Sequence, residues 1–111
     1  MTPATPKSAR AFPEPPGKIE GLIQVIRFEP QGHQVHSTYA VTFTPYMLGS
    51  LRSLRSRYLP DETALSAFLQ QIGVGPERIR RALDNLRGED KTTIPDVTIS
   101  IQELKGNGLL Y

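Results

Sequence analysis

Residues 61–88 read DETALSAFLQQIGVGPERIRRALDNLRG, and this stretch gives the strongest indication of the fold. Its apolar residues recur at intervals of three and four, which is typical of two amphipathic helices packed on a core. Asp61 suits the N-cap of the first helix, Gly73 suits its left-handed C-terminal cap, and Pro76 opens the second helix. The apolar positions are Leu65, Phe68, Leu69 and Ile72 in the first helix and Ile79, Ala82, Leu83 and Leu86 in the second.

Strand patterns lie on both sides of this helical pair. Upstream, residues 22–28 form an apolar run, and residues 35–43 alternate between apolar and polar side chains. The turn signal around Gly32 lies between them, so the two runs predict a β-hairpin. Downstream, residues 97–101 alternate in the same way and predict a third strand, and Pro95 keeps the start of that strand out of a central ladder position.

A third helix is predicted over residues 45–59. Pro45 fits its first position, Leu48 and Leu51 fall on one side, and Leu59 is followed by a proline that ends it. The predicted order is therefore β-β-α-α-α-β. Because strands and helices are segregated, the fold class is α+β, with a small, mainly antiparallel sheet that has one face covered by three helices.

The chain is organised as one domain with an N-terminal arm. Its 111 residues are the length of a single domain, and five of the ten prolines fall within residues 1–17. Proline supplies no N–H, and this stretch holds too few apolar side chains to offset the entropy lost on ordering. We expect residues 1–17 to be a disordered arm and residues 18–111 to form the α+β domain.

The composition excludes disulfides and thiol catalysis, and its small net charge does not call for a polyanionic partner. The chain has no cysteine, and 13 basic residues against 11 acidic ones leave a net charge of only +2. Neither a secretory leader nor an apolar run of membrane length is present, so we expect a cytoplasmic protein with no membrane contact. The two histidines, His33 and His36, would point to opposite faces of a strand. With no catalytic constellation in view, we expect no enzyme activity, no metal and no cofactor.

Protein contact is the leading functional hypothesis. Arg55 falls on the apolar side of the predicted 45–59 helix, where it either extends its stem along the core or meets an anionic partner. The helix that follows has an uncharged outer face, and an open sheet offers edges for strand pairing. We therefore expect a binding or accessory protein with a protein partner or a second copy of itself. The candidate contact residues are Arg52, Arg55, Arg57, Ser53, Gln70 and Gln71.

Nucleic-acid binding is the alternative. It would use the arginine-bearing helices 45–59 and 76–87, since consecutive helices joined by a tight turn are typical of helix-turn-helix proteins. Against it, the second of these helices balances its own charge, and Glu77 and Arg81 are spaced for an ion pair. The candidate contacts are Arg52, Arg57, Arg78 and Arg81.

The turn between the two helices, residues 72–76 with the sequence IGVGP, resembles the hairpin of helix-hairpin-helix DNA-binding proteins. The resemblance implies backbone N–H groups that face a phosphate. It covers about a dozen residues and departs from the family at Gln71 and Ile79. Glycine caps followed by a proline account for the same letters, so the family is not assigned.

Overall fold

The computed structural model describes residues 17–33, 35, 37–47 and 54–111, so residues 1–16 of the predicted arm lie outside the described part. The described chain forms four strands and three helices. In chain order these are β1 (Lys18–Phe28), β2 (Thr38–Pro45), β3 (Arg57–Leu59), α1 (Glu62–Gln71), α2 (Pro76–Gly88), β4 (Lys91–Ser100) and α3 (Ile101–Gly106).

The strands form one antiparallel sheet in the order β3-β2-β1-β4. The predicted hairpin is present as β1 and β2, with Val25 opposite Val41. Side chains alternate across the sheet, and those on its inner face join the apolar faces of α1 and α2 in one core. The α+β class with its mainly antiparallel sheet and three helices is confirmed. Fully buried core residues include Ile23, Val25, Val41, Phe43, Leu65, Leu69, Leu86, Ile99, Leu104 and Leu109.

The two central helices are confirmed by their caps. The carboxylate of Asp61 accepts a hydrogen bond from the backbone N–H of Ala64 at 2.8 Å. Gly73 has a φ of 99°, the left-handed region that glycine enters without steric cost. Its N–H donates to Gln70, and the N–H of Val74 donates to the carbonyl of Leu69. Both amides are used within the turn, so the hairpin does not present them to a phosphate.

The helix predicted over residues 45–59 is wrong in the part that the structure describes. Pro45 ends β2, and Arg57–Leu59 is an edge strand. Residues 48–53 of the predicted helix lie outside the described residues. Leu59 pairs with Tyr39 and is buried, so the sheet gains an apolar side chain and a ladder that a helix would not provide. Tertiary pairing therefore overrides the helical spacing here.

The C-terminal third differs from the prediction at both ends of its strand. β4 starts at Lys91 rather than at residue 97, and it contains a bulge in which Pro95 and Asp96 together face one residue of β1. The bulge requires a φ of 57° at Asp96, whose N–H donates to the hydroxyl of Tyr46 at 2.8 Å. After the strand, Ser100 begins α3 with a capping box, so Ile101 is helical rather than part of a strand.

The longest helix in the described part of the chain is the 13-residue α2, and none of the described helices is long and apolar enough to cross a membrane.

Candidate functional site

Two of the predicted contact residues, Arg57 and Gln71, are exposed but both bond to the buried Asn107. Nη1 of Arg57 donates to the backbone carbonyl of Asn107 at 2.9 Å, and Nε2 of Gln71 donates to the side-chain oxygen of Asn107 at 2.8 Å. The guanidinium of Arg57 also lies 5.3 Å from the ring centre of Phe68. Asn107 is 8% exposed, so these bonds satisfy a polar residue inside the fold. Arg57 and Gln71 join β3, α1 and the C-terminal segment to one another.

Arg55 also contacts the C-terminal segment. Its backbone N–H donates to the carbonyl of Leu109 at 3.1 Å, and its guanidinium stacks on the ring of Tyr111 at 4.4 Å. Just before it, Leu54 forms a β-bridge with Leu110. The last residues of the chain therefore lie along the segment that leads into β3. Within the described chain, the guanidinium of Arg55 thus makes a cation–π contact with an aromatic ring.

The remaining predicted contacts are divided between two places. Arg52 and Ser53 lie outside the described residues. Gln70 is exposed and, with Ser66, borders a cavity of about 310 Å³ between α1 and α2. Ile79 and Leu83 supply its apolar lining. The structure thus does not bring Gln70 together with Gln71, whose side chain points to Asn107.

The arginines of α2 are unequally paired. Glu77 binds Arg80 at 2.6 Å rather than Arg81, the partner that the spacing predicted. Arg87 binds both Asp84 and Glu62, at 3.1 Å and 3.0 Å, which raises the pKa of its guanidinium further. Among the described residues, two α2 arginines have no carboxylate partner. Arg81 has no hydrogen-bond or ion-pair partner among them, and Arg78 makes only a 3.4 Å bond to the carbonyl of Asp96.

These two arginines lie beside the free edge of the sheet, which is β4. In an antiparallel ladder, pairs that exchange hydrogen bonds alternate with pairs that do not. The backbone N–H of Arg27 donates to the carbonyl of Asp90 at 2.6 Å, immediately before the ladder of β1 and β4 begins. This bond places Arg27 and Asp90 at a hydrogen-bonding position of the register, so every second pair after it exchanges bonds.

Counting along this register gives the direction of each backbone group of β4. Thr92 and Ile94 lie in the exchanging pairs, so their N–H and C=O groups bond to β1. Lys91 and Thr93 direct their N–H and C=O groups outward, away from the sheet. Pro95 occupies the next outward position and has no N–H, which is where a strand tolerates proline. Among the described residues, nothing pairs with the backbone donors and acceptors of Lys91 and Thr93 on this side of β4.

A groove separates this edge from α2. A cavity of about 670 Å³ extends from the last turns of α2 around β4 to Gln24 on the outer side of the sheet. A second, of about 60 Å³, continues it to Pro95. Asn85, Thr92 and Thr93 line both. Nδ2 of Asn85 donates to the hydroxyl of Thr92 at 3.2 Å, which ties the helix to the strand. From Lys91 to Pro95 the edge is about 14 Å long at 3.4 Å per residue.

The two ends of this edge groove differ in charge. Arg78 and Arg81 line the end near Pro95. Asp84 and Glu89 line the opposite end, together with Lys91, whose backbone groups point away from the sheet. An extended chain in the groove would therefore meet cations at one end and mainly carboxylates at the other.

The outer face of the sheet carries a second surface. Ile26, Phe28 and Tyr58 are 38%, 44% and 68% exposed, and no described helix covers them. Ile26 and Tyr58 both lie opposite Ala40, from its two neighbouring strands. Ala40 is only 5% exposed, as expected where large neighbours cover a methyl group. This outer patch exposes large apolar side chains, which suits a contact surface.

The groups available in the edge groove favour binding over proton transfer. Its lining consists of amides, hydroxyls, carboxylates and guanidinium groups.

Elsewhere, burial and then the carboxylate of Glu62 raise the pKa of the Tyr39 phenol, which is neutral near neutral pH.

The sequence contained a signal for this edge that the strand prediction missed. Thr92 and Ile94 alternate with Lys91 and Thr93, which is a period of two directly after a helix. The prediction places Pro95 at the start of the strand, whereas the structure places it within β4 at the bulge. A proline at an outward position of an edge strand does not interrupt the ladder.

The comparisons with known proteins give no family for the chain. No family model, no curated protein and no solved structure matches it.

Proposed function

We propose that this protein is a small non-catalytic binding module that receives an extended segment of a protein partner as a fifth strand beside β4. The observation that carries the proposal is the pair of outward-facing residues, Lys91 and Thr93, beside a groove of about 670 Å³. Strand addition to an open edge is a common way to recognise peptides, in which backbone bonds supply affinity and side-chain pockets supply specificity. A cytoplasmic location remains a prediction and forms part of this proposal.

The size of the edge sets the strength of such a contact. Two outward residues exchange four backbone hydrogen bonds with an added strand. Each contributes about 0.5–1.5 kcal/mol net, so the four together supply about 2–6 kcal/mol before the cost of ordering the segment. That cost is about 1–2 kcal/mol for each ordered residue, so side-chain contacts in the groove must supply the remainder. We expect a weak, reversible partner.

Nucleic acid is less well supported as the ligand. Of the arginines proposed for it, Arg57 bonds to Asn107, and Arg52 lies outside the described residues. Arg78 and Arg81 are the remaining candidates, and two cations provide few phosphate contacts. Duplex binding should therefore stay in the nonspecific range, with dissociation constants of about 10⁻⁴ to 10⁻⁶ M at physiological salt.

The proposal is tested by filling the groove. Gly88 lines it, has an ordinary φ, and has no atom within 4 Å of an added Cβ, so Gly88→Trp should fold with the indole in the cavity. Gly106→Trp is the matched control, because Gly106 also ends a helix with open space at its Cβ. The full chain and both variants are used to capture partners from source cells after nuclease treatment.

The expected result is a protein partner retained by the wild type and by Gly106→Trp but lost by Gly88→Trp. A second variant, Thr93→Pro, removes an outward N–H without filling the groove and should lose the same partner. Tyr58→Ser tests the outer patch. A partner that is lost only with Tyr58→Ser, or one that nuclease removes, would contradict binding at the edge.

A further inference from the structure

We infer that the bound segment runs antiparallel to β4 and carries an acidic side chain at the residue opposite Ile94. This inference rests on the function proposed above and specifies the ligand of the same groove. It follows from the direction of side chains along the edge, from the charges of α2, and from the bulge that ends the free edge.

Side-chain direction determines which ligand residue meets α2. Paired residues in a ladder point to the same face of the sheet. Ile94 is 3% exposed and points to the helix-covered face, so the ligand residue opposite it points to the same side. Ile94 and Pro95 line the narrow end of the groove together with Arg78 and Arg81. The ligand side chain at this position is therefore the one that approaches both arginines.

The charge of that position follows from its neighbours. Arg81 has no partner among the described residues, and Arg78 has only the 3.4 Å bond to the carbonyl of Asp96. A carboxylate can accept hydrogen bonds from both guanidinium groups, and such charge-assisted bonds are among the strongest available to a ligand. The ligand residue four positions further along has its side chain on the same face of the sheet. That side chain lies near Asp84 and Glu89, so a cationic side chain fits this position best.

The orientation follows from the ladder. All strands of this sheet pair antiparallel, and antiparallel pairs are slightly more stable for each residue than parallel ones. Pairing must stop at Pro95 and at the bulge of Asp96, which has a φ of 57°. In an antiparallel ligand, the residues beside this stop are the N-terminal ones. The acidic residue therefore precedes the basic one in the sequence of the ligand.

The probe is a fluorescent peptide with blocked ends, acetyl-Val-Glu-Val-Thr-Val-Lys-amide. In the inferred register its Glu lies opposite Ile94, its second Val opposite Thr93, its Thr opposite Thr92 and its third Val opposite Lys91. The matched control exchanges Glu and Lys and keeps the composition. We expect fluorescence anisotropy to show binding of the probe about tenfold tighter than binding of the control, the size of one charge-assisted hydrogen bond.

The arginines are tested by the double variant Arg78→Gln, Arg81→Gln. It should weaken binding of the probe by about tenfold and leave a Gln analogue of the probe unchanged. A third peptide, neutral and with a free C-terminal carboxylate, tests the other source of a carboxylate. Tighter binding of that peptide, or of the exchanged control, would show a parallel ligand and overturn the inference.

Backbone methylation separates this inference from the function on which it rests. An N-methyl group on the Val opposite Thr93 blocks an exchanged bond and should abolish binding of every probe. The same group on the Thr opposite Thr92 lies on an N–H that points away from β4 and should be tolerated. If methylation acts as expected but charge order has no effect, the proposed function stands and the inference fails. If no peptide binds, or both methylated forms bind equally, strand addition itself is contradicted.

Discussion

The two edges of the sheet differ in whether another part of the chain lies against them. On one side, β3 is only three residues long, and the end of the chain lies against the segment that precedes it, with Leu54 bridged to Leu110 and Arg57 bonded to Asn107. On the other side, Lys91 and Thr93 turn their backbone groups outward beside a groove. The C-terminal segment of the protein thus lies against one edge, whereas on the other edge the backbone groups of Lys91 and Thr93 have no partner in the described chain.

The comparison shows that the unpaired edge of the described sheet lies at β4. Open edges invite uncontrolled association, and proteins limit them with short strands, prolines, charges and bulges. β4 carries three of these devices, namely Lys91, Pro95 and the bulge at Asp96. They shorten the available edge but do not close it. A short, bounded edge is suited to a specific segment and poorly suited to aggregation.

Breaking the closed edge should have the largest effect on stability. Leu109 is fully buried and anchors the C-terminal segment in the core. We expect Leu109→Ala to lower the free energy of unfolding by about 2–5 kcal/mol, as for other large-to-small changes at buried sites. Leu83, which is partly buried at the core boundary, is the control and should cost less. Urea denaturation measures both variants. Equal losses would show that the segment is not anchored as described.

The direction of the backbone groups of β4 can be tested with two neighbouring prolines. Thr92→Pro removes an N–H that bonds to β1, whereas Thr93→Pro removes one that points outward. We expect the first to cost about 1–3 kcal/mol more than the second, because it leaves a carbonyl of β1 unsatisfied. Amide exchange on the wild type should show Thr92 protected and Thr93 exchanging rapidly. The reverse order would contradict the assignment of the free edge.

The two edges also predict different roles for their arginines. Arg57 bonds to the carbonyl of the buried Asn107, so Arg57→Met should lower stability by about 1–2 kcal/mol through loss of that bond. Arg81 has no partner among the described residues, and Arg81→Met should change stability by less than about 0.5 kcal/mol. Thermal unfolding of the two variants provides the comparison. A large loss for Arg81→Met would reveal a structural role that the groove does not explain.

The smallest effect concerns pH at the helix that leads to the closed edge. Hydrogen bonds from the backbone and hydroxyl of Ser100 lower the pKa of Glu103. A carboxyl with a lowered folded-state pKa stabilises the fold above its unfolded value, about 4.3, and this contribution is lost as the pH falls through the folded-state value. Glu103→Gln should therefore melt below the wild type at neutral pH. The gap should narrow as the pH falls below about 4.3 and through the folded-state pKa, and a gap independent of pH would contradict the capping role.

The helical pair, the hairpin and the α+β class could be predicted from the sequence alone. These features depend on local signals, namely apolar spacing and caps such as Asp61 and Gly73, which act within a few residues along the chain. The same local reasoning failed over residues 57–59. Their apolar spacing is compatible with a helix, and only pairing with β2 makes them a strand. Residues 101–106 differ in cause, because the capping box of Ser100 and Glu103 is itself a local signal, and it outweighed the alternating pattern before it.

The site depends on contacts between distant parts of the chain. No spacing in the sequence brings Arg57 and Gln71 to Asn107, because these residues come from three elements that meet across the fold. Nor does spacing place Arg78 and Arg81 beside β4, since that depends on how α2 packs over the sheet. Whether an arginine serves the fold or a partner is a question of what lies within hydrogen-bonding distance. Those distances arise from long-range packing, which the order of residues does not display.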